Sequence, residues 1–339
     1  MSDTMLAAFF STPGHVEVRE VERPLPGPGE VLVRITASGI CGSDVAAWRG
    51  IEQEWHRRGH EYAGVVETVG DGVEGFAPGQ AVAGYGSLPC GVCTHCRRGR
   101  PKYCLQPRSS GGGAFAEYLC LPCEFWFPLE GLSAEEGALL EPLTVALEMV
   151  RDGRVTLGNR VLLLGAGPIG LMALSICKAL GALVYMVHPR SSAKRWALAE
   201  AWGADAALDA TVGDVEKRVR ELAPGGVDTV LITTMPTVGV PLAAACATRG
   251  GVLSLIGMQW EAAHFVLEID RFHFANLQLV GSNHNPCALY YAEAAELLRR
   301  RIIRGDELIS HRFPLAEIEA AFKTTSEKRA EVAKVMITG

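Results

Sequence analysis

No stretch of this 339-residue chain reaches the roughly 18 uninterrupted apolar residues of a membrane-crossing helix, so no membrane partner is expected. The opening MSDTMLAAFFSTPG lacks the basic segment and the sustained apolar run of a secretory signal, which points to a cytoplasmic protein. Excess positive charge is missing too. A net charge of −6 and a pI near 5.9 give no footing for nucleic acid or another polyanion. Internal repeats and low-complexity segments are absent. A disulfide framework is not expected either, because four of the ten cysteines fall within fifteen residues at metal-ligand spacing, which favours thiolates in a reducing compartment. What is present is an ordinary globular composition, 48% hydrophobic and 21% charged, on a chain long enough for two domains.

The first 130 or so residues carry short strand-like runs such as Val31 to Ile35, Gly64 to Val69 and Gly79 to Ala83. They are broken by PLPGPGE (Pro24 to Glu30) and by the loop GDGVEGFAPG, and predict a small β-barrel or sandwich. From Gly131 to Val150 the pattern turns helical, with Ser133 and Glu136 at capping-box spacing. Beyond it, runs Val161 to Leu164, Val184 to Val187, Val227 to Ile232, Val252 to Ile256 and Leu277 to Val280 alternate with helical segments such as Asp214 to Leu222. That alternation predicts a doubly wound parallel sheet. A last helix is expected over Ala288 to Ile303, ahead of RFPLAEIEAAF.

The stretch VLLLGAGPIG (Val161 to Gly170) organises the chain. Four apolar residues read as a strand buried on both faces. Gly165, Gly167 and Gly170 follow in GxGxxG spacing, with Pro168 and Ile169 between the last two, and Ile169, Ala173, Ile176, Cys177 and Leu180 recur at helical intervals to Gly181. Strand, glycine turn and helix supply a tight turn, close backbone approach and unpaired amides facing an anion, the needs of a dinucleotide pyrophosphate.

Cys90, Cys93, Cys96 and Cys104 stand in CGVCTHCRRGRPKYC. Tandem CxxC turns and a return cysteine can place four thiolates tetrahedrally around zinc, and so closed a site is structural. His95 with Arg97, Arg98, Arg100 and Lys102 reads as a solvated rim that offsets the thiolate charge. Cys120 and Cys123 form another CxxC, but without a partner pair they read as a strand end. A second set is dispersed: Cys41 in GICGSD, His60 and Glu61 in RGHEYAG, and Glu141 in LLEPLTVAL. A catalytic zinc needs about three protein ligands and an exchangeable position, which these residue types satisfy. Each also has a bland alternative, as a buried cysteine, a capped turn histidine or a helix-terminal glutamate, so spacing alone leaves the set open.

With these motifs in view, the chain resembles a zinc-containing medium-chain dehydrogenase/reductase of the polyol (sorbitol-type) and threonine dehydrogenase branch. GICGSD, GHEYAGVVETVG, the four-cysteine lobe, GAFAEYL, LLEPLTVAL and VLLLGAGPIGL stand in the family's order, and the similarity extends through HRFPL. The resemblance implies an α/β protein. A GroES-like β-barrel catalytic domain (1–150, completed by 288–339) would join a Rossmann doubly wound parallel-sheet domain (151–287), with the active site in the cleft between them. It implies Cys41 and His60 as catalytic zinc ligands, Glu61 as the carboxylate beside the metal, and Glu141 as the third protein ligand of the polyol branch. Ser43 matches the hydroxyl that hands the substrate proton onward. Zinc would lower the pKa of the alcohol, as it lowers that of water from about 15.7 to about 7, and hydride would pass to C4 of a nicotinamide. Relatives pair Rossmann sheets edge to edge, so a homodimer or homotetramer is expected.

Two departures from the family pattern matter. Many relatives carry a histidine two positions after the aspartate that corresponds to Asp44, and this chain has Ala46; His56 is a candidate for the missing relay. The strand Val184 to Val187 ends in HPRSSAKR, without the acidic residue that binds the ribose hydroxyls of NAD. Arg190, Ser191, Ser192, Lys194 and Arg195 suit a 2′-phosphate instead, which favours NADP(H) over NAD(H). Asn283, His284 and Asn285 in GSNHNPC are candidates for hydrogen bonding a substrate, and Trp48, Trp55 and Phe115 for walling it, against alternatives as an interface loop and as core aromatics. Analogy with the branch favours a sugar, polyol, cyclitol or aminocyclitol. An NADPH-dependent ketone reductase of biosynthesis and a threonine-type or simple alcohol dehydrogenase are the alternatives.

Overall fold

The structure is a computed structural model describing residues 3–11, 13–50, 55–258, 264–282, 286–328 and 330–339. The chain divides into two compact units, Met1–Thr144 with Asn285–Gly339, and Val145–His284.

The first unit is built on a seven-stranded sheet. Glu30–Gly39 lies at its centre, flanked by Glu61–Val69 and by Lys334–Thr338, with Ile309–Pro314 beyond the latter. Ala81–Gly84 and Trp126–Pro128 extend the other side, and Tyr118–Pro122 also pairs with Glu30–Gly39. A hairpin of Thr4–Phe10 and Val16–Glu22 packs alongside through Phe10, which lies 5.1 Å from Phe322 in ring-centroid distance. One core cluster gathers Phe10, Trp48, Phe115, Ile318, Phe322 and Val335. Residues some 300 positions apart thus share one core, and the late segment of the chain completes the early one.

The second unit is a six-stranded parallel sheet. Arg160–Leu164 sits between Leu183–His188 and Val227–Ile232; Ala206–Asp209 lies outside the former, and Ala247–Leu255 then Gln278–Gly281 outside the latter. Val161 to Leu164 are at most 2% exposed, as expected of a strand covered on both faces. Two details differ from the sequence reading. The strand Ala206–Asp209 was not expected, since AALD carries no β-branched residue and takes its pairing from its neighbour. The expected helix over Ala288 to Ile303 is a 3-10 turn, Cys287–Tyr290, followed by a helix limited to Tyr291–Arg299, because Arg301 turns to φ +57° just beyond it. The capping box forms as read: Glu136 N–H donates to Ser133 Oγ at 3.2 Å, and Ser133 N–H to Glu136 Oε2 at 2.9 Å. Among the described residues no helix is long and apolar enough to cross a membrane.

Candidate active site and nucleotide cradle

Register brings the dispersed set together. Glu61 opposes Gly39 in the antiparallel pair Glu30–Gly39 and Glu61–Val69, so Cys41, just beyond one strand end, meets His60 and Glu61 at the start of the other. Gly39 is required there, because a Cβ would collide with the Glu61 carboxylate. One ligand atom each from Cys41, His60 and Glu61 lies within 4.8 Å of the others. Asp44 supports the group: its carboxylate accepts from Cys41 N–H at 3.1 Å and stands 3.6 Å from His60 Nδ1. Glu141, in the first turn of the helix Leu140–Asp152, is buried but is not part of this close trio. Its charge is nonetheless felt there. Burial opposes a charged His60, yet Asp44, Cys41 and Glu141 outweigh it and raise the imidazole pKa well above the ordinary histidine value. So close a gathering of thiol, imidazole and carboxylate donors matches the ligand set of a divalent cation.

Lys334 was not legible from spacing. It comes from the late strand Lys334–Thr338, buried, with Nζ paired to the Glu61 carboxylate and donating to Ile40 O at 3.1 Å. Burial pushes the Glu61 pKa up, against the pull of Lys334. Ser43 sits half-buried in the first turn of the helix Gly42–Gly50. His56 bonds through its backbone to Phe10 and lines a cavity of about 260 Å³ with Asp44, Arg57, Arg58, His60 and Ser110. Trp48 lies in the core against Phe322 with ring centroids 5.7 Å apart, and Phe115 is buried in the same cluster, so both take the core position. Trp55 is partly exposed beneath the Arg19 guanidinium. Asn283, His284 and Asn285 lie outside the described residues.

The four-cysteine lobe is closed. The sulfurs of Cys90, Cys93, Cys96 and Cys104 lie within 4.8 Å of one another, Cys90 and Cys96 being 4.0 Å apart. Tetrahedral Zn–S bonds of about 2.3 Å place sulfurs about 3.8 Å apart, so the set fits zinc. Backbone amides point at the sulfurs: Cys93 N–H at Cys90 Sγ and Cys90 N–H at Cys104 Sγ, both 3.3 Å. None of the ten cysteines is in a disulfide.

In the second unit, Gly165 turns at φ +110° where a Cβ would strike Thr233, and a Cβ at Gly170 would run into the Gly165 carbonyl. Gly167 precedes Pro168 at the start of the helix Pro168–Ala179, and no side chain caps it, which leaves amides facing outward beside Ile169. His188 fastens this turn by accepting Ala166 N–H at Nδ1, 3.3 Å away; burial and Arg195 lower its pKa to about 4. Arg190, Ser191 and Lys194 are exposed and Arg195 half-exposed, whereas Ser192 is buried. Arg190 lies over the Trp196 ring at 5.1 Å. The sequence reading found no carboxylate in HPRSSAKR, but the neighbouring strand brings one: Asp209 pairs in register with His188 and accepts from Arg190 N–H at 3.3 Å and from Thr211 Oγ1 at 2.7 Å.

A cradle for a dinucleotide and a thiolate–imidazole–carboxylate set for a Lewis acid define a class, the metal-assisted nicotinamide dehydrogenases. The family follows from comparison: the chain belongs to the zinc-containing medium-chain dehydrogenases, its residues 27–131 matching the alcohol dehydrogenase GroES-like domain and 168–300 the zinc-binding dehydrogenase domain. Sorbitol dehydrogenase of Rattus norvegicus is 31% identical across 98% of this chain and 95% of its own. L-threonine 3-dehydrogenase of Pyrococcus horikoshii is 36% identical across 76% and 77%. A zinc-binding dehydrogenase from Sinorhizobium meliloti, solved bound to NADP, superposes with a TM-score of 0.89 at 31% identity over 100% of both chains. The protein is a zinc-type, nicotinamide-dependent alcohol or polyol oxidoreductase acting on a small molecule.

Proposed function

We propose that the protein interconverts a secondary alcohol and its ketone on a polyhydroxylated substrate, a sugar, polyol, cyclitol or aminocyclitol, and prefers NADP(H) to NAD(H). The observation that carries this reading is the close trio of Cys41, His60 and Glu61. Cys41, His60 and either Glu61 or Glu141 would hold the catalytic zinc, and Cys90, Cys93, Cys96 and Cys104 the structural one. Zinc held there would supply Lewis acidity toward an alcohol oxygen, and a bound nicotinamide would supply the hydride acceptor. The chain's own groups do the rest. Asp44 orients His60 and the Cys41 amide, Lys334 balances the Glu61 carboxylate, and the Ser43 hydroxyl receives the substrate proton. The helix N-terminus at Gly167 binds pyrophosphate, while Arg190, Ser191, Lys194 and Arg195 present donors and positive charge to a 2′-phosphate.

The test is Cys41→Ala. Bound zinc should fall from two to one per chain by metal analysis, with NADP binding retained and turnover of a polyol reduced by about a thousandfold or more, given the several kcal/mol a Lewis acid supplies. Unchanged turnover would refute the mechanism. In the wild type, equal or better kcat/KM with NAD would refute the cofactor preference alone.

A further inference from the structure

We propose that the cavity beside His60 is an anion subsite built by Arg57 and Arg58, so that the polyhydroxylated substrate carries a carboxylate or phosphate group. The inference rests on the dehydrogenase reading above and narrows its substrate class. Both arginines line the cavity together with Asp44, His60, Ser109 and Ser110. The Nε atoms of both are buried and have no hydrogen-bond partner. Arg57 donates once, from Nη2 to Gly113 O at 2.7 Å, and among the described residues the Arg58 side chain donates to nothing and neither arginine has an ion pair within 4.0 Å. Asp44 is the one carboxylate in the lining, and it is already engaged by Cys41 N–H and His60. Two guanidinium groups therefore share a cavity with a single, already engaged carboxylate; burial pushes the Arg57 pKa down with nothing opposing it, and Asp44 opposes the same effect at Arg58 alone. Half-buried arginines are ordinarily paired, and their planar forks match carboxylate and phosphate oxygens.

One wall of the cavity carries Gly111 and Gly112. Gly111, Gly112 and Gly113 run at φ +80°, +67° and +95°, a backbone path that residues with side chains rarely adopt, and a Cβ at Gly113 would stand in ordinary contact with the Arg57 side chain, 3.4 Å away. Ala114 N–H donates to Gly59 O at 3.3 Å and Phe115 N–H to Arg58 O at 3.0 Å, which ties this wall to the arginine segment. Ser109 and Ser110 add hydroxyls at its edge.

The experiment uses the zinc-loaded protein with three substrates of one carbon skeleton, a hexitol, its 1-phosphate and the corresponding aldonate, and with inorganic phosphate as a probe free of turnover. The expected result is a kcat/KM for an acidic substrate at least tenfold above that for the hexitol, and a rise in melting temperature with phosphate. Arg58→Met should lower the acidic-to-neutral ratio by about tenfold to a hundredfold, the worth of a charge-assisted hydrogen bond, and weaken the phosphate effect. Arg58→Lys, which keeps the charge and guards against misfolding, should restore part of both. The two acidic substrates separate carboxylate from phosphate as the source. A hexitol used as well as its acidic analogues, with phosphate binding unmoved by Arg58→Met, would overturn the subsite and leave the dehydrogenase standing. Arg58-dependent phosphate binding without turnover of any alcohol would support the subsite and overturn the dehydrogenase reading.

Discussion

Replacing Lys334 by methionine keeps the stem and removes the charge. The side chains of Lys334 and Glu61 are 2% and 1% exposed, so in the metal-free protein Glu61 would be left in a closed interior with its lysine gone and the Ile40 carbonyl without its donor. Breaking a buried ion pair from one side costs about 3–5 kcal/mol, because the surviving charge must be neutralised or the surroundings must open. At about 2–4 °C per kcal/mol for a body of this size, melting should fall by roughly 6–20 °C. Calorimetric unfolding at neutral pH measures it. Adding Glu61→Gln to Lys334→Met should return a large share of the loss, since the uncompensated carboxylate disappears. A single variant melting within about 2 °C of the parent, or a double variant no more stable than the single, would refute the idea that the pair offsets a buried charge.

Two further outcomes follow from the nucleotide unit. His188 has a folded pKa near 4 against an ordinary 6.5, so it is neutral in the folded state over a range where the unfolded chain takes up a proton. Its contribution is intact above pH 6.5 and is lost as pH falls toward 4, by about 1–3 kcal/mol after allowance for partial exposure. Unfolding followed from pH 4 to 7 should show a shallower slope in His188→Asn; an identical slope would count against this assignment. Gly170→Ala forces a methyl against the Gly165 carbonyl. Nucleotide affinity should drop at least tenfold by fluorescence titration, and binding at the parental level would show that the turn relaxes freely.

What the sequence discloses and what it withholds divide along a physical line. The four-cysteine lobe, the glycine turn and the Ser133 capping box are local: their ligands, donors and turns lie within a few residues, so spacing alone specifies them. Cys41, His60 and Glu61 needed the resemblance, because a strand register holds them together and no single motif does. Lys334 stands 273 positions from Glu61, and nothing in VAKVMITG marks that lysine as buried. Asp209 escaped notice for a similar reason. It follows AAL, a strand that exists through its neighbour, and it reaches Arg190 across the sheet and not along the chain. Arg57 and Arg58 belong to no motif, and only the fold sets Ser109 to Gly112, some fifty positions later, beside them in one cavity.

The strand Lys334–Thr338 joins the edge of Glu30–Gly39 and brings the cation for Glu61. The nucleotide unit is one uninterrupted segment, Val145–His284, and all of it emerges from a ribosome before that strand does. Synthesis therefore delivers the whole nucleotide segment while the unit that began first still holds an open sheet edge and an unbalanced carboxylate. Birth order and completion order run opposite ways in this chain, and the candidate metal centre is sealed only after everything between its two halves has been made.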